Sequence, residues 1–171
     1  MSIFLQPLQT VTVGSGGASS VTFTSIPQGY TDLVVKTSVR SQGTNGTCVM
    51  FFNSDTTQSN YSVTRLYGNS SSAGSAAYSA PYFVYSNESN FTSNTFTNGE
   101  VYIPNYTSSN YKSVISDMVN ENNATLGEQF LSAGLWRNTS AITSITIQEA
   151  VDAGFVQYSK FSLYGVLRQG I

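Results

Sequence analysis

The sequence predicts an all-β fold: a two-sheet β-sandwich of jelly-roll type, with about ten short strands and long polar loops. Three observations lead there. Apolar residues recur with a period of two along most of the chain. Clusters of Gly, Asn, Ser and Pro separate these runs. No segment combines a 3.6-residue period with a helix cap and a stop.

Taken in order, the chain opens on an apolar stretch, Ile3, Phe4, Leu5 and Leu8 around Pro7. Chain ends are usually polar and frayed, so an apolar one wants cover. Two readings stay open: an edge strand on the chain's own sandwich, or an arm that docks on a neighbouring subunit. The division drawn is an apolar N-terminal arm over 1–10 and a single jelly-roll domain over 11–171. Strands are then expected over 9–13 and 20–24, joined by Gly14-Ser15-Gly16-Gly17. In 31–40, Leu33, Val35, Thr37 and Val39 share one face while Val34, Lys36, Ser38 and Arg40 take the other, a half-buried strand. The Asn45-Gly46 pair that follows suits a tight hairpin into 47–52.

Further strands are expected over 61–67, 99–104, 112–119, 128–137, 142–148 and 160–167. They are rich in Val, Ile, Thr, Tyr and Phe, which fit a pleated surface. In the last, Phe161, Leu163, Gly165 and Leu167 point one way and Ser162, Tyr164 and Val166 the other. The segment from Gly68 to Ser75 is the best loop candidate, with further polar loops over 86–98 and 120–127. Cys48 alternates with Met50 and Phe52, which reads as a small core residue rather than a reactive thiol.

Composition narrows the function. Charged residues are 9% of 171, with a net charge of -2, against about 25% in an average domain. Ser 27, Thr 19 and Asn 14 supply much of the rest. With no histidine and one cysteine, imidazole-based catalysis, zinc sites and an internal disulfide are excluded. Seven scattered basic residues make no phosphate-tracking stripe, so no nucleic-acid partner is expected. No apolar run approaches the roughly 20 residues of a membrane helix, and the start lacks a signal peptide's basic region. The acidic residues are scattered singles, so neither a catalytic carboxylate pair nor a metal site is expected; Glu149 and Asp152 alone are a weak calcium signal. The chain reads as a non-enzyme without cofactor, binding by shape and hydrogen bonds.

Tyr78, Tyr82 and Tyr85, with Phe83 among them, are the candidate sticky surface, since Tyr gives rigid amphipathic contact at low entropic cost. Together with Ile3, Phe4, Leu5 and Leu8 they form the expected partner interface. Trp136 reads as a core anchor with Arg137 paired to a carboxylate, and Arg65 as paired with Asp55.

Several segments, in this order, resemble small structural proteins of tailed phages of aquatic bacteria, of a cyanophage-like kind. They are Phe52-Asn53-Ser54-Asp55, Asn60-Tyr61 with Arg65-Leu66-Tyr67-Gly68-Asn69, and Ile103-Pro104-Asn105-Tyr106 with Tyr111-Lys112-Ser113. They continue with Gly134-Leu135-Trp136-Arg137, the run from Ala141 to Ile147, and Tyr158-Ser159-Lys160-Phe161-Ser162-Leu163-Tyr164-Gly165. The match spans residues 50 to 167. It implies a virion protein with no catalytic residues to carry over, a jelly roll acting as a homotrimer, and leaves its place open between capsid decoration and tail. The expected function is a decoration protein on the capsid exterior that cements seams between major capsid protein subunits. The alternative it implies is a tail-fibre or receptor-binding tip that recognises host glycan.

Overall fold

Strands form wherever the two-residue alternation is strong. The computed structural model describes residues 3–123, 127–151 and 153–168; the side chains of Ile3 and Arg168 fall outside that description. Its strands are β1 (Ile3–Thr12), β2 (Ser20–Phe23), β3 (Asp32–Val39), β4 (Thr47–Phe52), β5 (Tyr61–Gly68) and β6 (Ala73–Tyr78). They continue as β7 (Val84–Tyr85), β8 (Thr97–Pro104), β9 (Lys112–Glu121), β10 (Gly127–Trp136), β11 (Ile145–Glu149) and β12 (Lys160–Arg168). One 3-10 turn, Gln58–Asn60, leads into β5. β9 shows the cause plainly. Lys112, Val114, Ser116, Met118 and Asn120 are buried and every residue between them is exposed, as a pleat with one covered face requires.

The strands build two antiparallel sheets. The large one has eight strands in the order β1-β12-β3-β8-β9-β10-β5-β6, and the small one four in the order β2-β11-β4-β7. Four antiparallel ladders nest inside one another along the chain: β2 with β11, β3 with β8, β4 with β7 and β5 with β6. The β9–β10 pair is inserted between β8 and β5, and β12 and β1 extend the sheet beyond β3. Between the sheets lies one core containing Phe23, Leu33, Phe52, Ile103, Trp136 and Phe161. Phe52 sits 5.4 Å from Trp136, centroid to centroid.

Gly165 is needed where it stands. A Cβ there would lie 2.4 Å from the ring of Tyr30, so the missing side chain lets that tyrosine lie on β12.

Three expectations are corrected. Residues 41–46 do not make a hairpin, because β3 and β4 lie in different sheets; the segment crosses the sandwich, and Asn45 Oδ1 accepts the Thr47 N–H at 2.9 Å within it. The expected loop from Gly68 to Ser75 is mostly strand. Its turn is confined to Asn69–Ser72, where Asn69 Oδ1 accepts the N–H groups of Ser71 and Ser72, and pairing with β5 then draws the small residues of β6 into the sheet. With β6 and the short β7, the strands number twelve among the described residues. Of the expected loop over 120–127, Asn120 and Glu121 belong to β9 and Gly127 to β10; residues 124–126 lie outside the described residues.

Candidate partner-binding surfaces

The N-terminal segment is the outermost strand of the large sheet. β1 pairs with β12 through Thr12, past the boundary drawn at residue 10. Residues 1 and 2 lie outside the described residues, and Ile3 stands opposite Arg168. A register shift between Pro7 and Gln9 leaves Leu8 as the extra residue of a bulge, and Leu8 packs against the core. Phe4 and Leu5 behave differently: they stay 56% and 40% exposed, opposite Leu167 and Val166. Two of the four expected apolar residues therefore offer free surface.

The tyrosine stretch is turned to another use. Tyr78, Tyr82 and Tyr85 are half-buried, and they gather around Arg65 rather than facing outward. The guanidinium carbon lies 5.3 Å from the Tyr78 ring, 5.5 Å from Tyr85 and 5.6 Å from Phe130. Tyr85 stacks on Phe130 at 4.1 Å, and Tyr82 meets Tyr78 edge to face. Arg65 also donates to the Tyr82 carbonyl at 2.8 Å. The expected Arg65–Asp55 pair does not form. A guanidinium has two flat faces and weak hydration, so aromatic rings and a carbonyl can replace a counter-ion. Burial pushes the Tyr85 phenol up to about 12.

Asp55 serves Trp136 instead. The indole N–H donates to its carboxylate at 2.9 Å, and the Asn60 amide at 2.9 Å. Desolvation raises the Asp55 pKa, but the Trp136, Asn60 and Thr57 donors outweigh it and hold the carboxyl below its usual range. Trp136 is fully buried, a core anchor. Among the described residues Arg137 meets no carboxylate; it donates to the Ser59 carbonyl at 2.6 Å. Arg40 organises the 86–98 loop: its two terminal nitrogens donate to the carbonyls of Ser89, Phe91, Thr92 and Thr95. Lys112, also buried, donates to the Asn110 carbonyl at 2.5 Å. Arg40, Arg65, Lys112, Asp32 and Glu149 are all buried. Five of the chain's 16 charged residues are thus withdrawn from the surface. Asp152 lies outside the described residues.

What the withdrawal leaves is the outer face of the large sheet. Leu66 on β5 stands opposite Leu131 on β10, which stands opposite Asp117 on β9, then Glu100 on β8 and Lys36 on β3. One pleat along, the row reads Thr64, Ala133, Ile115, Tyr102, Val34 and Tyr164. Leu66, Ile115, Val119 and Leu131 are 56%, 54%, 47% and 42% exposed. They form one apolar stripe across three adjacent strands. Asp117 stands within it, between Ile115 and Val119 on β9 and opposite Leu131, and the Lys36–Glu100 pair, 3.6 Å apart, borders it. A shallow groove of about 490 Å³ runs along the stripe's end between Asn69, Ser70, Val119 and Gln129.

Sequence reasoning missed this stripe, though the signal was present. In β9 the pairs Val114-Ile115 and Met118-Val119 put apolar side chains on both faces of one strand. An antiparallel strand that carries apolar side chains on its exposed face as well marks a surface contact.

Comparison with known protein families, curated proteins and solved structures gave no match.

Proposed function

We propose that the chain is a structural protein of a tailed-phage virion, a decoration protein that sits on the capsid exterior and holds shell subunits together by added contact area. The observation that carries this reading is the apolar stripe Leu66, Ile115, Val119 and Leu131 on the outer face of the large sheet, with Asp117 in its midst and the Lys36–Glu100 pair at its border. A flat face of that composition suits a broad protein contact with many hydrogen bonds and little repulsion between crowded copies. The major capsid protein is the partner under this reading, and copies group as homotrimers across subunit seams. The jelly-roll reading of the fold is supported by the four nested ladders, which follow the winding of such a fold once the β9–β10 pair is set aside as an insertion.

The second reading is a tail-fibre or receptor-binding tip. The shallow groove beside Asn69, Ser70 and Gln129 favours it, since their amides and hydroxyl can hydrogen-bond a host glycan packed beside Val119.

Quantitative mass spectrometry of purified particles separates the two. Copies near-stoichiometric with the shell protein support decoration. Low tens of copies support the tail tip, and absence from the particle overturns both.

A further inference from the structure

Four strands end the two sheets: β1 and β6 in the large one, β2 and β7 in the small one. A sheet edge presents unpaired N–H and C=O groups, and proteins guard such edges with proline, charge, bulges or shortness. β1 carries Pro7 and a bulge. β2 has four residues and β7 two. β6 has no guard of any of these kinds. It runs for six residues, Ala73-Gly74-Ser75-Ala76-Ala77-Tyr78, without charge or proline and in unbroken register with β5. Ala73, Ser75 and Ala77 are exposed, and no charged residue occurs between Arg65 and Glu88.

We propose that β6 is a self-association edge, separate from the contacts of the proposed trimer: it pairs antiparallel with β6 of a second copy across a two-fold axis normal to the sheet, joining two large sheets into one and, under the trimer reading, two trimers into a hexamer. The strand is its own complement. Laid antiparallel on itself, it sets no like charges opposite one another and no bulky side chain against another near its centre. A charged partner strand would find nothing on β6 to pair with.

The backbone selects the register. The Asn69 N–H donates to the Ser72 carbonyl at 2.9 Å, which closes the β5–β6 hairpin with a hydrogen-bonded pair. Alternation along the ladder then turns the N–H and C=O groups of Ala73, Ser75 and Ala77 away from β5. A two-fold through Ser75 places it opposite its own copy and Ala73 opposite Ala77 of the partner subunit. All the outward groups are used, giving about six hydrogen bonds. A slip of one residue would set outward groups against inward ones and send side chains to the wrong face. The same axis brings the Leu66 side chains of the two copies, each one strand in from the edge, onto a single continuous face about 14 Å apart, three strand spacings.

The test is a cysteine scan of the edges in the purified full chain. In a hydrogen-bonded antiparallel pair the opposed Cα atoms are about 5.5 Å apart, within disulfide range. Under mild oxidation, Ser75→Cys should give a covalent dimer on a denaturing non-reducing gel, at twice the 18.4 kDa of the chain. Thr12→Cys, on the guarded edge, should not. Cys48 is buried and stays silent. In light scattering, Ser75→Pro should halve the mass of the native species, because a proline whose missing N–H faces outward leaves the β5 ladder intact. Ala73→Lys should do the same, which covers the case in which the proline variant fails to fold. A dimer band no stronger than that of Thr12→Cys, or a mass unchanged by both substitutions, overturns the proposal. A wild type whose β6 amides become exchange-protected only on a particle assigns the edge to a foreign strand and equally overturns self-pairing.

Discussion

Substituting Leu131 by lysine tests the outer face where it is most central. Leu131 lies between Leu66 and Asp117 in register and is 42% exposed. Full burial of a leucine stabilises by about 1.5–3 kcal/mol, so covering the part still exposed is worth about 1 kcal/mol. Four residues of similar exposure give about 4 kcal/mol for the stripe, a useful fraction of a specific contact after association costs. Leu131→Lys removes one such share and also forces an ammonium to shed water in the contact. A loss of about 3 kcal/mol is expected, roughly a hundred-fold in affinity. Stability of the free protein should change by no more than about 0.5 kcal/mol, because the residue already meets water and the new ammonium can approach Asp117. The assay is saturation binding of the purified variant to shells stripped of the native protein, with urea unfolding alongside. If the variant saturates shells at the wild-type concentration while remaining folded, the stripe is not the contact and the reasoning fails.

Four further outcomes follow from the interior. Arg40→Met should free the 86–98 loop, leaving the carbonyls of Ser89, Phe91 and Thr95 without the guanidinium and that of Thr92 with the Thr95 hydroxyl alone. Limited proteolysis should then cut within that loop, and urea unfolding should show a loss of about 3 kcal/mol. Trp136→Phe removes the indole bond to Asp55 and should cost about 2 kcal/mol at neutral pH. Because the Asp55 pKa is lowered in the fold, that stabilisation is present at neutral pH and disappears as pH falls through the folded value. The difference between wild type and variant should therefore shrink in acid, and a difference constant with pH contradicts the pairing. Glu149 is shifted the other way, upward by burial and only partly drawn back by the Ser41 and Ser86 hydroxyls and the Gly154 N–H. The folded state then holds its proton above the unfolded pKa, so this group lowers stability as pH rises from about 4.5 through the folded value. Glu149→Gln should flatten that decline in thermal melts; an unchanged slope refutes it. Cys48 is fully buried with its thiol pushed up to about 12. It should resist thiol reagents in the native protein and react only on unfolding.

The sequence speaks clearly where one face of a strand is apolar and the other polar. β11 is the plain case: Ile145 and Ile147 are buried and Thr146 between them is half-buried. β12 departs from its expected alternation: Ser162 and Val166 on the face read as outward are buried, and Leu167 on the face read as inward is 40% exposed, because β12 is flanked by β1 and β3 and its end runs past the core. The sequence is silent where pairing alone makes a strand. Ala, Gly and Ser in β6 have little strand preference of their own, and only the ladder with β5 fixes them. The Asn45-Gly46 pair was legible as a turn but not as a crossover, because turn chemistry is local and sheet membership is not. The tyrosines at 78, 82 and 85 look like a surface cluster in one dimension. Only the fold brings Arg65, 13 residues before the first of them, into their midst. The outer stripe was within reach from the doubled apolar pattern of β9, but its members on β5 and β10 become neighbours only through the register.

Hydroxyl-radical footprinting of the protein free and on intact virions tests the central claim most directly. The account predicts that Leu66, Ile115, Val119 and Leu131 are oxidised in the free protein and protected on the particle, while Tyr158 on the far loop, 68% exposed, is labelled alike in both. Equal labelling of the stripe in the two samples would contradict it.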